Sequence, residues 1–297
     1  MPTDPSITET GSGHEPTLFV VATPLGNLAD LSARAERVLA QVDIIFAEDT
    51  RRTRKLLEHL GVRAPIQSLH AHNEKERSQA VLHRLAAGCH VAYVTDAGTP
   101  GVSDPGSRLV ALVAEAGYGV APIPGPSALA AALSVAGFSQ PHTDVLFLGF
   151  LPAKGKARRS ALERVAEARG IVVIFAAPHR LVRLLEELTT HGQGQRDAVI
   201  CRELTKVHEE LLRGSVAALL EQARAGLRGE LVLVLGPLPE SESADGDVAA
   251  IDAALGRCLQ AGLSQRDAIS AVAAVLQQPK RQVYRRCLAR FASSSDT

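Results

Sequence analysis

The segment VTDAGTPGVSDPG, which runs from Val94 to Gly106, decides how the first half of the chain folds. The apolar run HVAYV leads into it, and five of the nine residues from Gly98 to Gly106 are glycine or proline. A short apolar run that ends in such residues is typical of a buried strand followed by a loop. This long stretch of backbone without large side chains predicts a main chain that contacts a ligand directly.

The same alternation of a short apolar run and an amphipathic helix extends on both sides of this segment. LFVVAT (18–23) and DIIFA (43–47) are strand-like, and TRRTRKLLEHL (50–60) has helical spacing. Strands that alternate with helices predict an α/β domain with a mostly parallel sheet, which we assign to residues 17–123. After the proline-rich crossing GVAPIPGPS, four further strand-like runs predict a second α/β domain over residues 124–238: VLFLGF, IVVIFA, DAVICRE and ELVLVLG.

The two ends of the chain depart from this pattern. Residues 1–16 predict a disordered tail, and the polar residues 239–246 predict a linker. Residues 247–297 are predicted to form a small helical module that resembles a helix-turn-helix, with a capping box at Ser264 and Asp267. The predicted apolar face of its last helix consists of Val283, Tyr284, Cys287, Leu288 and Phe291. The basic residues predicted to lie away from that face are Lys280, Arg281, Arg285, Arg286 and Arg290.

Composition restricts the class of protein. The 297 residues are 46% apolar, and 32 basic residues balance 32 acidic ones, so the chain can build a large core while its net charge indicates no partner. Four cysteines lie far apart without a CxxC pair, which predicts free thiols in a reducing cytoplasm and neither a disulfide framework nor a metal site. The N-terminus lacks the pattern of a signal peptide and no apolar stretch is long enough to span a membrane, so a soluble cytoplasmic protein is predicted.

Three loops rich in glycine, proline or small polar residues follow predicted strands. They are TPLGNL (23–28), TDAGTPGVSDPG (95–106) and PGPSA (124–128). Open α/β sheets bind ligands at the carboxyl ends of their strands, so three such loops together predict a ligand cleft, although each alone would be an ordinary turn. None contains GxGxxG or GxxxxGK[ST], so the fingerprints of dinucleotide and P-loop sites are absent from these loops.

Two polar clusters are candidates for acid–base chemistry. Glu48 and Asp49 end a predicted strand and are followed by basic residues, among which Arg51 is a candidate to orient a phosphate. The alternative reading is a helix start with acids at its positive end. The segment CRELTKVHEE (201–210) contributes two further candidates to exchange a proton, Glu203 and Lys206.

Two basic clusters are candidates to bind a polyanion, or are simply solvated faces. The first follows the strand-like run VLFLGF, and the second is the C-terminal helix. Clusters of this kind let a protein of zero net charge bind nucleic acid. The candidate RNA-binding residues are Lys154, Lys156, Arg158, Arg159, Lys280, Arg281 and Arg285.

Assembled in order, these segments resemble the ribosomal RNA small-subunit methyltransferase I family, the RNA-modifying branch of the tetrapyrrole-methylase-like superfamily. The matching segments span about 18–236 and are TPLGNLADLSARA, AEDTRRT, HAHNE, VTDAGTPGVSDPG, IPGPSALAAALSVAGF, FLGFLPAKGKAR, FAAPHR and CRELTKVHEE. The resemblance implies S-adenosylmethionine as cofactor, held in the cleft between two α/β domains of the tetrapyrrole methylase type. The residues that it assigns to the cofactor are Pro24, Asp96, Ala97, Gly98, Thr99, Val102, Ser127, Ala128, Ala176 and Leu204.

The resemblance further implies a homodimer that methylates the ribose 2′-hydroxyl of a cytidine in the decoding region of 16S ribosomal RNA, either as free RNA or within the small ribosomal subunit. Two alternatives stay open at this point. One is a small-molecule methyltransferase of the same fold that acts on a tetrapyrrole, and the other is a nucleic-acid-binding regulator without enzymatic activity. A small substrate requires neither basic cluster, and a regulator would transfer no methyl group.

Overall fold

The computed structural model describes residues 15–138, 144–238, 242–276, 278 and 280–291. Its contacts divide the chain into two compact units, Met1–Pro237 and Leu238–Thr297. The first unit contains two five-stranded sheets, and the second is helical. The two halves predicted as separate α/β domains therefore form one compact unit.

The first sheet is wholly parallel, with the strand order β3-β2-β4-β1-β5. Its strands are β1 (Thr17–Val21), β2 (Ile44–Ala47), β3 (Ile66–Ser68), β4 (Val91–Val94) and β5 (Gly119–Ile123). The helices that connect them are α1 (Ala33–Gln41), α2 (Thr50–Leu60), α3 (Glu74–Ala86) and α4 (Ser107–Glu115). The strand order reverses beside β1, so the loops that follow β1 and β4 are neighbours at the point where open sheets hold ligands.

The second sheet is mixed, with the order β6-β7-β10-β8-β9. Strands β6 (Val145–Phe150) and β7 (Ile171–Ala176) pair in parallel, whereas β10 (Leu231–Leu235) runs antiparallel to β7 and to β8 (Asp197–Arg202). The fifth strand, β9 (Glu210–Ser215), was not predicted, because ELLRGS shows no alternation of apolar and polar residues. The helices of this half are α5 (Ala128–Ala136), α6 (Gly155–Glu167), α7 (Pro178–Leu188) and α8 (Val216–Arg224).

Both sheets are covered by apolar clusters on both faces, as nearly continuous apolar strands require. The two halves also touch through a distortion in β6. Its register against β7 shifts between Phe147 and Gly149, and Gly149 adopts a left-handed φ of 57°. A Cβ atom at Gly149 would overlap Oγ of Ser103, which belongs to the loop after β4. The absence of a side chain therefore lets the second half approach that loop closely.

The second unit contains α9 (Glu242–Gln260), α10 (Gln265–Val275) and α11 (Lys280–Phe291). Helix α9 begins inside the segment 239–246 that the sequence predicted as a linker. The N-cap at Ser264 is confirmed, since the Asp267 N–H donates to Ser264 Oγ at 3.2 Å, and the Asp267 carboxylate accepts from the Ser264 hydroxyl at 2.7 Å. The core that the three helices share consists of Ile251, Leu255, Ala268, Val272, Ala273, Val283 and Cys287.

The predicted apolar face of α11 is only partly correct. Val283 and Cys287 are buried, but Tyr284 and Leu288 are about half exposed, because a core of seven small or medium side chains needs only a narrow apolar stripe. Arg286 was predicted to face away from this core. Instead its guanidinium donates to the buried carboxylate of Asp252, with Nη2 at 2.7 Å from Oδ2. The side chains of Arg281, Arg290 and Phe291 lie outside the described part.

Within the described ranges no helix is long and apolar enough to cross a membrane. The same ranges hold no group of three or more His, Cys, Asp or Glu side chains that could bind a metal ion. The four cysteines are free thiols, and Cys201 and Cys287 are buried.

Candidate active site

A cavity of about 440 Å³ lies between the two sheets of the first unit, at the carboxyl ends of their parallel strands. One wall is the loop after β4 together with the start of α5. The other wall comes from the ends of β6, β7 and β8 and the start of β10. Nine of the ten residues assigned to the cofactor by resemblance line this cavity: Asp96, Ala97, Gly98, Thr99, Val102, Ser127, Ala128, Ala176 and Leu204.

The loop after β4 is tied to its neighbours by backbone hydrogen bonds. Thr23 and Gly98 exchange two N–H···O bonds of 2.9 Å, which join the loops after β1 and β4. Thr99 Oγ1 donates to the carbonyl of Pro126 at 3.0 Å. Gly98 adopts a φ of 81°, and a Cβ there would stand 3.3 Å from Leu25. Gly98 lines the cavity, and its lack of a side chain leaves the backbone there uncovered.

The far end of this loop, at Pro105 and Gly106, is held by hydrogen bonds to β4 and α3. The Tyr93 hydroxyl donates to the carbonyl of Pro105 at 3.0 Å, and the Gly106 N–H donates to Glu74 Oε1 at 3.0 Å. Gly106 also needs to be glycine, because a Cβ would overlap the Tyr93 ring at a φ of 120°. The loop is thus held at both ends before any ligand binds.

Pro24 is the tenth residue assigned to the cofactor, and it does not line this cavity. It lines a neighbouring cavity of about 190 Å³, which shares Arg52 and Asp96 with the larger one. Lys55 lies in the same smaller cavity. The two cavities therefore meet at the Arg52–Asp96 pair, where Nε and Oδ2 are 3.5 Å apart.

Three carboxylates form the polar end of the larger cavity: Glu48, Asp96 and Asp104. The Asp96 N–H donates to Glu48 Oε2 at 3.4 Å, and the Asp49 N–H donates to Asp96 Oδ1 at 3.0 Å. Burial raises the pKa of Glu48 above its usual value. Burial, reinforced by the negative charge of Glu48, raises the pKa of Asp104 to about 6. The raised pKa values make both groups stronger proton acceptors than ordinary carboxylates.

Asp49 and Arg51, predicted as a proton acceptor and a phosphate-orienting group, lie outside the lining of the cavity. Asp49 caps α2 by accepting the Arg51 N–H at 2.8 Å, and its Oδ2 accepts from Arg51 Nη2 at 2.7 Å. This hydrogen bonding with Arg51 holds the pKa of Asp49 well below its usual range. Arg51 is exposed, and neither residue lines the cavity. Arg52, one position further along α2, is the arginine that reaches it.

Glu203 and Lys206 form an ion pair with each other beside the cavity. Glu203 Oε1 accepts from the Glu230 N–H at 2.7 Å and from Lys206 Nζ at 3.1 Å. The backbone hydrogen bond from Glu230 lowers the pKa of Glu203, and Lys206 assists. Lys206 also packs so closely on Gly26 that a Cβ there would overlap its stem. The geometry gives this pair a structural contact between the loops and does not place it in the cavity lining.

The predicted RNA-binding residues divide in a similar way. Lys154, Lys156 and Arg159 are exposed at the start of α6, as are Lys280 and Arg285 on α11. Arg158 was predicted to bind RNA, but the structure corrects this prediction because its side chain is buried. Its Nε donates to Glu187 Oε2 at 2.8 Å, so its charge is neutralised within the fold.

Sequence reasoning missed several residues that line the cavity: Arg52, Asp104, Phe150, Phe175 and Glu230. A signal was available for Asp104, since it lies in the same glycine- and proline-rich loop as Asp96. The two aromatic residues end β6 and β7 at the edge where ligands bind, so their position along the strand was also a usable signal.

The chain is similar to a known protein family and to several named relatives. The family model for tetrapyrrole (corrin/porphyrin) methylases matches residues 17–220. A protein of Xylella fastidiosa (strain Temecula1) named Ribosomal RNA small subunit methyltransferase I is 45% identical over 231 residues, which cover 77% of this chain and 84% of that protein. A protein of the same name from Synechocystis is 40% identical over 269 residues, with 90% and 95% covered. The chain belongs to the ribosomal RNA small subunit methyltransferase I family.

The fold of this chain is also found in solved structures of other methyltransferases. Uroporphyrin-III C-methyl transferase from Thermus thermophilus, complexed with S-adenyl homocysteine, superposes with a TM-score of 0.56 at 15% identity. The alignment covers 74% of this chain and 97% of that one. This likeness concerns the fold alone, and it confirms the tetrapyrrole methylase architecture that the sequence resemblance implied.

Proposed function

We propose that this chain uses S-adenosylmethionine to methylate small-subunit ribosomal RNA, at the ribose 2′-hydroxyl of a cytidine in the decoding region. The observation that carries the proposal is the cavity between the two sheets, whose lining coincides with nine residues assigned to the cofactor by family resemblance. The names of the relatives supply the substrate class, and the basic residues at the start of α6 agree with it.

The residues of the cavity fit the proposed cofactor chemically. Val102, Ala176 and Leu204 provide apolar walls for the adenosine and the methylene chain, while the exposed backbone at Gly98 leaves room for close approach. Carboxylates at the polar end complement a cation. The volume of about 440 Å³ is within the range of small-molecule sites.

Once bound, the cofactor supplies an activated methyl group on a positively charged sulfur. The task of the protein is then to place the ribose hydroxyl in line with that methyl group and to exclude water. Positioning of this kind can supply about 7–11 kcal/mol of a reaction barrier. The anchored loop Asp96–Gly106 provides it, because Tyr93 and Glu74 fix the loop in advance.

The hydroxyl must also lose its proton as the new C–O bond forms and the S–C bond breaks. We assign the proton acceptor to the Glu48–Asp104 pair, since both line the cavity and both have raised pKa values. General base catalysis contributes on the order of 10²–10⁴-fold in rate. This assignment replaces Asp49, Glu203 and Lys206, whose charges are already paired with other groups.

The test uses labelled S-adenosylmethionine with unmodified small subunits, followed by alkaline hydrolysis of the RNA. A 2′-O-methyl group blocks cleavage at its own linkage, so a labelled dinucleotide is expected, whereas base methylation would give labelled mononucleotides. Glu48→Gln and Asp104→Asn should each lower kcat on the order of 10²-fold or more. Glu36→Gln, at an exposed position of α1, is the matched control and should have no effect.

Three results would redirect the proposal. Label in mononucleotides would contradict the 2′-hydroxyl as the acceptor. Label in a tetrapyrrole but not in RNA would favour the small-molecule reading, and the absence of any transfer would favour a binding regulator. Residence in the cytoplasm and assembly as a homodimer belong to the same proposal, and analytical ultracentrifugation tests the dimer.

A further inference from the structure

Phe150 is an aromatic side chain left unburied at the mouth of the cavity. It is the last residue of β6, it lines the cavity, and 59% of it is exposed. Among the described residues of the unit Met1–Pro237, it is the only exposed Phe or Tyr. A phenylalanine gains stability by burial, so its exposure at a binding site indicates a ligand surface.

The Phe150 ring packs against one neighbouring aromatic ring. Phe150 and Phe175 meet at a centroid distance of 5.6 Å and an interplanar angle of 68°, and Phe175 meets Phe147 at 5.0 Å and 67°. Tilted contacts of this kind are favourable aromatic arrangements. Phe147, Phe175 and Phe150 thus form a continuous row of ring contacts across β6 and β7, and Phe150 is its exposed end. The contact with Phe175 restricts the motion of Phe150 before a substrate binds.

The surroundings of Phe150 indicate which planar ligand it meets. Lys154 and Lys156 follow within the same loop and helix start, and both are exposed. The described residues contain no carboxylate within ion-pair distance of either lysine. An exposed aromatic residue followed closely in the chain by exposed cations matches a nucleotide of RNA, whose base can stack and whose phosphates are negative. The proposed cofactor carries a base as well, but the residues assigned to it line the cavity, whereas neither lysine belongs to that lining.

We infer that Phe150 is the surface on which the base of the target nucleotide stacks when its ribose enters the cavity. This inference rests on the proposed function. Stacking holds the base outside the cavity while the sugar reaches the polar end that contains Glu48 and Asp104. Since every base has an aromatic face, this contact contributes affinity and orientation rather than base identity.

The experiment compares Phe150→Leu, which keeps an apolar side chain of similar size, with Phe150→Tyr, which keeps the aromatic face. The leucine variant should raise KM for small subunits roughly tenfold to a hundredfold, as expected when one stacked base is lost. The tyrosine variant should restore the wild-type KM. The Kd for S-adenosylmethionine, measured by calorimetry, should be the same for both variants.

The matched control is Val145→Ala, at the opposite end of the same strand, where another apolar side chain is 47% exposed. It should leave KM unchanged. Thermal unfolding of each variant separates loss of the Phe175 contact from loss of substrate binding. A leucine variant with wild-type KM, or one whose cofactor Kd rises while KM for RNA does not, would overturn the inference.

Direct binding of the unmodified decoding-region RNA distinguishes this inference from the proposed function. If the wild-type protein binds the RNA and transfers no methyl group, the proposed function fails, yet Phe150→Leu should still weaken that binding. If methyl transfer occurs and the leucine variant binds RNA as tightly as wild type, the proposed function stands and the role of Phe150 is wrong. If the wild-type protein neither binds nor methylates the RNA, both are wrong.

Discussion

Replacing Arg158 with alanine should destabilise the fold rather than weaken RNA binding. Its guanidinium donates to Glu187 Oε2, with Nε at 2.8 Å, and to the carbonyl of Pro152, with Nη1 at 2.9 Å. Breaking a buried ion pair costs about 3–5 kcal/mol. Glu187 retains Arg183 as a partner at 3.0 Å and is partly exposed, so we expect a loss near the lower limit, about 3 kcal/mol. The melting temperature should then fall by roughly 6–12 °C.

Urea unfolding followed by circular dichroism measures this loss directly. Lys156→Ala and Arg159→Ala are matched controls, since both positions are exposed on the same helix, and their free energies of unfolding should stay within about 0.5 kcal/mol of wild type. The effects on RNA binding should be the opposite, with the controls weakening it and Arg158→Ala leaving it unchanged. Each control should reduce the slope of log affinity against log salt concentration by about one unit. A stable Arg158→Ala protein with weakened RNA binding would refute the reasoning.

Three further predictions follow from the first unit and from the division of the chain. Gly98→Val should raise the Kd for S-adenosylmethionine at least about tenfold, because a side chain at a φ of 81° is strained and fills space beside Leu25; Gly88→Val, also at positive φ but in open space, is the control, and equal Kd values would contradict the placement of the cofactor. Asp104→Asn should stabilise the protein by about 1 kcal/mol at pH 8, which is the shift from 3.8 to about 6 discounted for partial exposure. The raised folded pKa means that the penalty is absent below about pH 4 and complete above about pH 6, so a gain that does not depend on pH in urea unfolding would contradict it. Deleting Leu238–Thr297 should leave the first unit folded and weaken RNA binding more than cofactor binding, and calorimetry showing equal losses of both would contradict this.

The sequence alone predicted most of the ligand-facing backbone. Strand ends are visible as apolar runs that stop at glycine or proline, so the loop from Asp96 to Val102 and the start of α5 could be located without coordinates. Those residues contribute main chain or small side chains, and their position along a strand is enough to place them. Resemblance to a family then added the facing wall at Ala176 and Leu204.

Charged residues were harder to predict, because one helical position changes the direction of a side chain by about 100°. Arg51 and Arg52 are adjacent in sequence, yet the first pairs with Asp49 and the second reaches the cavity. Arg158 and Arg159 differ in the same way. The partner that buries Arg158 lies 29 residues further along the chain, on α7, so no local pattern could indicate it.

The close approach of Gly149 to Ser103 leaves no room for a side chain at position 149. Backbone of one half lies close to a side chain of the other, so the spacing of the two halves at this point depends on glycine at position 149. A bulkier residue at position 149 would have to displace the loop that carries Ser103, which itself lines the cavity. A substitution at a glycine that does not itself line the cavity would therefore change the shape of the cavity.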